Sequence, residues 1–249
     1  MTDNARKVLR VSGPEARPFL QGLVTNDVEK LDHGMVYAAM LTPQGKLRTD
    51  FFLVPDSGPG GEDILIDAPA SEADGLLRLL TMYKLRSAVT VTETGLTVTR
   101  GLGMPPEGGF ADPRDAAMGW RSYNGQPDED VDWNALRVAA QVPEMGVELT
   151  PDTFILEVGF ERLNGVDFKK GCYVGQEVTA RMKHKTELRK GLARVRVEGA
   201  APLGTEITAN GKSVGTLYTQ SGGEGLAYLR FDRAGPEMTA EGAQVRYPA

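Results

Sequence analysis

From about residue 190 onward the chain changes texture. Residues 192–197, 206–209, 213–219, 226–231 and 244–247 are short runs rich in β-branched and alternating apolar positions. Five strands in about 60 residues predict a small barrel or sandwich. Asn210-Gly211 between two of these runs is the signature of a two-residue hairpin turn. A domain boundary is therefore expected near residue 190, dividing the chain into 1–190 and 191–249.

The first part alternates helices with paired strands, which predicts an α+β fold. Ser12 and Glu15 have the spacing of a capping box, with Pro14 in the first turn and Phe19 and Leu23 on one helix face. Strands are expected at 37–41, 47–54 and 63–68, with a Gly/Pro-rich loop at 56–61. Ser71 is expected to cap the next helix, which turns Leu76, Leu77, Leu79, Leu80 and Tyr83 inward. Runs at 89–93 and 96–100 read as strands, and 101–113 as a surface crossing. The acidic stretch 128–132 reads as a solvated loop leading into a helix over 133–141.

Bulk properties exclude several classes. At 249 residues, 41% apolar and 25% charged, the composition is that of an ordinary globular protein. There is no apolar run long enough for a transmembrane helix, and the N-terminus lacks the apolar core of a secretory signal. No membrane partner is expected. A single cysteine rules out an internal disulfide framework and suits a reducing, cytoplasmic setting. One Cys and two His cannot make a structural zinc site or a complete iron–sulfur site, so no resident metal is expected. There is no phosphate-binding glycine loop. The net charge of -6 argues against direct nucleic-acid binding. Residues 169–196 nevertheless hold nine Lys/Arg and two Glu, a local +7 that could guide an anion or form a solvated face.

The lone thiol lies in Lys170-Gly171-Cys172-Tyr173-Val174-Gly175-Gln176-Glu177. Lys170 beside it, and the helix expected from Gln176, would both favour a thiolate. The alternative is a small buried hydrophobe, and residue chemistry alone leaves both open. Gln176 and Glu177 could equally cap the helix start.

This octet resembles the hallmark of YgfZ-type proteins, relatives of the folate-binding T-protein of the glycine cleavage system. Further elements are similar to that family in order: residues 19–28, including Asn26 and Asp27; 44–50, ending at Asp50; 112–114 with 119–121; and Arg137 with 143–146. The resemblance implies a three-subdomain cloverleaf around a folate site with a small C-terminal β-barrel. It also implies tetrahydrofolate as ligand, and a role supporting iron–sulfur cluster assembly or repair in client enzymes, with an indirect effect on tRNA modification. Cys172 with Lys170 would carry the thiol chemistry. Asp27, Asp50 and Glu157 are candidates for the pterin edge, with Asp27 equally suited to a turn or cap and Asp50 to a water-facing strand position. Arg86, Arg114, Arg121 and Arg137 are candidate anchors for the tail or backbone, or surface and structural arginines. The T-proteins have an Asp pair where this chain has Thr49-Asp50. That departure weighs against the alternative, an aminomethyl or one-carbon transferase, so catalysis by the chain itself is left uncertain.

Overall fold

The computed structural model describes residues 5–56, 63–184 and 188–248. The loop expected at 56–61 lies almost wholly outside them. The chain forms two compact units, Met1–Asp130 with Glu161–Val178, and Val131–Phe160 with Thr179–Ala249.

In the first unit the elements run β1 (Arg6–Ser12), α1 (Ala16–Gln21), β2 (Val36–Leu41), β3 (Leu47–Asp56), β4 (Asp63–Pro69), α2 (Ala70–Tyr83), β5 (Thr90–Glu93), β6 (Thr99–Gly101), β7 (Gly109–Ala111) and β8 (Trp120–Ser122). Five strands form one antiparallel sheet in the order β2-β3-β4-β1-β5, and β6-β8-β7 form a second. Two capping expectations are overturned. Ser12 is the last residue of β1 and donates to Asp63, and Glu15 takes the N-cap position of α1 without a side-chain cap. Helix α2 starts at Ala70, ahead of Ser71, whose hydroxyl turns to Glu72. Two runs also differ. Residues 94–98 form no strand, whereas β7 lies inside the stretch expected to be a plain surface crossing.

The register of the larger sheet explains its layering. Ala38 pairs with Phe51, Val36 with Leu53 and Leu53 with Ile66, and these side chains share the core with Leu20, Leu76 and Leu80 of the two helices. Alternation sends the intervening residues to the opposite face. There Tyr37 pairs with Phe52, Ala39 with Asp50, and Phe52 with Asp67. This second face is buried as well, but it is charged.

Asp67 is fully buried. It accepts from Arg6 Nε at 2.6 Å, and from Arg121 Nη1 and the Tyr123 hydroxyl at 3.0 Å each. Arg114 makes a two-pronged pair with Asp112, at 3.0 and 2.7 Å. The guanidinium groups of Arg121, Arg114 and Arg6 lie 4.1, 4.7 and 5.6 Å from the centre of the Phe52 ring. Burial disfavours ionised Asp67 and Asp112. Arg6 and Arg121 outweigh it at Asp67, and Arg114 outweighs it at Asp112, so both stay below the usual carboxylate range.

The second unit contains α3 (Trp133–Ala140), the later turns of α4 (Gln176–His184), and β9 (Lys190–Glu198), β10 (Thr205–Ala209), β11 (Lys212–Ser221), β12 (Glu224–Arg230), β13 (Met238–Ala240) and β14 (Ala243–Arg246). The strands close as a barrel in the order β10-β11-β12-β9-β14-β13. Asn210 and Gly211, at φ 51° and 71°, make the tight turn between β10 and β11. The sixth strand, β13, was not foreseen. Asp132 caps α3 through Ala135 N, and Asp128 and Glu129 accept from the amides of Arg100 and Leu102. The acidic stretch is thus exposed but hydrogen-bonded to backbone, rather than merely solvated.

Replacing Asp67 by Asn strands Arg6 and Arg121 in a buried site and is expected to cost about 3–5 kcal/mol at neutral pH. A depressed folded-state pKa gives stability above the unfolded value of about 3.9 that is lost as pH falls through the folded value. The wild type should therefore lose more stability than Asp67→Asn below pH ~4. Urea unfolding of both proteins at several pH values checks this; superimposable curves would refute it.

Candidate functional site

The segment bearing Cys172 is tied into the first unit from both sides. Thr25 Oγ1 donates to Gly165 O at 2.7 Å, and Asp167 N donates to Thr25 O at 3.0 Å. Asn26 Nδ2 donates to Tyr37 O and to Asn164 O, at 2.8 and 2.6 Å. Lys30 pairs with Asp167 at 2.7 Å, and Asp167 in turn accepts from the amides of Lys169 and Lys170. On the far side, Gly175 has φ +85° and lies so close to the turn after β2 that a Cβ would meet Thr42 O at 2.6 Å. Only glycine fits there. Gly171 faces open space and meets no such constraint.

Lys170 is part of this clamp. Its ammonium is buried and donates to the carbonyls of Gln21 and Val24, both at 2.6 Å, with the Tyr173 ring centre 4.8 Å away. Burial lowers its pKa to about 8, opposed by Asp27, Asp167 and Cys172. At neutral pH it remains mostly a cation close enough to Cys172 to interact with it. Cys172 itself is exposed, which removes the buried-hydrophobe alternative. Gln176 closes the loop onto the helix, because its side-chain oxygen accepts from Tyr173 N. Glu177 is exposed in the first turn of α4, where a negative charge suits the helix dipole. Tyr173 is buried and serves as packing.

Asp27 caps the 3-10 helix Val28–His33 through Glu29 N and accepts from Gln21 Nε2. Asp50 is 4% exposed on the charged face of the sheet. The Tyr37 hydroxyl donates to its Oδ2 at 2.9 Å, and burial, then Asp50, holds that phenol protonated far above its ordinary range. Oδ1 of Asp50 is buried without a hydrogen-bond partner among the described residues. A buried carboxylate oxygen in that state lacks an N–H or O–H donor. The edge of a pterin presents such donors, so Asp50 fits that group.

A cavity of about 340 Å³ lies beside the clamp, and Asp50 is not among the residues that line it. Asn26, Lys30 and Asn164 of the clamp line it together with Tyr37 and Pro113. Its volume is at the lower end for small-molecule sites.

The structure thus brings Asp50 and Arg121 into one network, and Asp27, Lys170 and Cys172 into one clamped region. Arg86 lies apart, exposed at the tip after α2. Arg137 belongs to the second unit, buried against Glu144 and Glu148, with Glu148 also accepting from Thr219. Glu157 is in the same unit, where it accepts from the Tyr228 hydroxyl. Arg6, Tyr37, Asp67 and Tyr123 were missed. An acid inside the apolar run Ile64–Ala68 was the available signal, since a buried carboxylate requires cationic partners.

Residues 189–248 match the CAF17 C-terminal beta-barrel domain. The crystal structure of the glycine cleavage system aminomethyltransferase T from Bartonella henselae superposes with a TM-score of 0.74 over 97% of this chain and 82% of that one. At 15% identity the likeness shows the fold alone: the aminomethyltransferase cloverleaf with its C-terminal barrel. The mitochondrial iron–sulfur cluster assembly factor IBA57 of Homo sapiens is 33% identical over 99% of this chain and 82% of its own length. Its Mus musculus counterpart is 32% identical over 92% and 76%. Both relatives are mitochondrial proteins, and this overturns the cytoplasmic expectation; thiol content speaks to redox conditions and does not distinguish one reducing compartment from another. With a third of its residues identical along most of both chains, this chain belongs to the IBA57/YgfZ family of iron–sulfur cluster assembly factors.

Proposed function

We propose that the chain is an accessory factor in iron–sulfur cluster assembly that offers Cys172 to a cluster or client and binds a tetrahydrofolate at Asp50. The observation that carries the first part is an exposed thiol on a loop held at both ends. Among the described residues no group of three His, Cys, Asp or Glu side chains could hold a metal. Cys172 supplies one ligand, and a cluster needs several. The cluster is therefore cargo, with the other ligands coming from an assembly partner or client protein. Effects on tRNA modification follow only through such a client.

Tetrahydrofolate, when bound, supplies a carrier for one-carbon units. Asp50 would accept from the pterin edge, with Tyr37 orienting its other oxygen. Arg121 and Arg114 are held in place on that face by Asp67 and Asp112. The clamp, Asp27 included, fixes the Cys172 loop, and Lys170 adds a positive charge that favours thiolate. The relatives support a mitochondrial setting for this role.

Cys172→Ala is expected to abolish support of iron–sulfur enzymes in a complementation assay. Its unfolding free energy should stay within about 0.5 kcal/mol of wild type, because the side chain is exposed. Full support by this variant would eliminate the thiol from the function. Lys170→Met should behave oppositely in unfolding: two buried carbonyls lose their donor, at a cost of about 3 kcal/mol. Anaerobic calorimetry with tetrahydrofolate tests the other site. Saturable binding should weaken by roughly 10- to 100-fold in Asp50→Asn, which removes a charge-assisted acceptor. Equal affinities, or no binding to wild type at millimolar ligand, would remove folate from the proposal.

A further inference from the structure

The tip after α2 departs from its surroundings in three ways. Leu85 is 86% exposed, although its side chain is fully apolar. It also has φ +40°, a left-handed conformation that is unfavourable for a branched side chain, in the turn closed by Ser87 N donating to Lys84 O at 2.6 Å. Met82, in the last turn of α2, is 58% exposed as well.

The charge along this stretch of the chain is of one sign. Between Asp74 and Glu93 the chain has three cations, Arg78, Lys84 and Arg86, and no acid. Arg78 and Arg86 are exposed, and neither has an ion pair among the described residues. A cleft of about 800 Å³ lies at this tip, lined by Glu15, Tyr83, Lys84, Leu85, Arg86 and Ser87. The one acid in its lining, Glu15, is occupied as acceptor for Ala88 N at 2.9 Å.

We infer that this tip is a docking surface for a protein segment that presents carboxylates around an apolar side chain. Leu85, with Met82, supplies the apolar contact, and Arg86 with Arg78 selects the acidic partner by charge. A strained, exposed leucine is kept in place because burial against the partner repays it. Leu85 lies in a lining that holds Lys84 and Arg86 against the single acid Glu15, a positive balance that matches an acidic amphipathic segment. This surface uses neither Cys172 nor Asp50, so its test is independent of theirs.

The probe is a short fluorescein-labelled peptide of Glu and Leu, compared with its Lys/Leu counterpart by anisotropy against the full chain. The acidic peptide should bind saturably and more weakly as salt rises. Affinity should fall roughly tenfold in Leu85→Gly and in Arg86→Glu. Leu85→Gly should melt no lower than wild type, because glycine relieves the positive φ. Several results overturn the inference: no binding, equal binding by the variants, equal binding of the Lys/Leu peptide, or a lower melting temperature for Leu85→Gly. Binding to phosphatidylserine vesicles without binding to the peptide would assign the surface to lipid and overturn it too.

Discussion

Everything on the charged side of the large sheet depends on Asp67. Removing a carboxylate or guanidinium from water costs several kcal/mol per ion, and that cost is recovered only when each ion finds close, well-aligned partners. Asp67 reaches β1 through Arg6, β8 through Arg121, and Tyr123 just beyond β8. One carboxylate thereby ties a strand of the main sheet to the smaller sheet. Phe52 completes the arrangement, since its ring face accepts the positive groups where no further acid could fit. Three cations balance three acids in this network, and only Asp50 is left with an unsatisfied oxygen.

That imbalance connects fold and function. A face built for full satisfaction would have no use for a ligand; one that leaves a buried acceptor short has a place for a donor from outside. The Cys172 loop follows the opposite logic. Its backbone is held by Thr25, Asn26 and Asp167, and it is anchored through Lys170, while the thiol projects into solvent beside the exposed Lys169. Rigid support beneath an exposed thiol suits a protein that lends one ligand and completes its chemistry on a partner.

Much of this was legible in the sequence. Alternating β runs and Asn210-Gly211 marked the barrel, and the lone cysteine marked its loop. Short-range patterns failed where a distant partner competed for the same group. Ser12 looked like a cap but is claimed by Asp63, 51 residues away. Three-residue strands such as β7 and β13 are too short to show alternation, and pairing with neighbours creates them. Lys170 looked like an activator of the thiol; its geometry shows a structural anchor that also carries charge. The Asp67 network needed four segments far apart in sequence, and no local spacing encodes that.

The barrel is closed unevenly. Strands β9 and β12 are joined by seven residue pairs, from Glu224–Arg196 to Arg230–Lys190. Among the described residues, β10 meets β13 at one pair, Thr208–Thr239, whose hydroxyl oxygens lie 3.2 Å apart. A cylinder with one thin seam has a preferred place to open. Amide protons along β13 and β14 will exchange with solvent before those of β9 and β12, and the barrel will unroll from the seam while the β9–β12 pair is still intact.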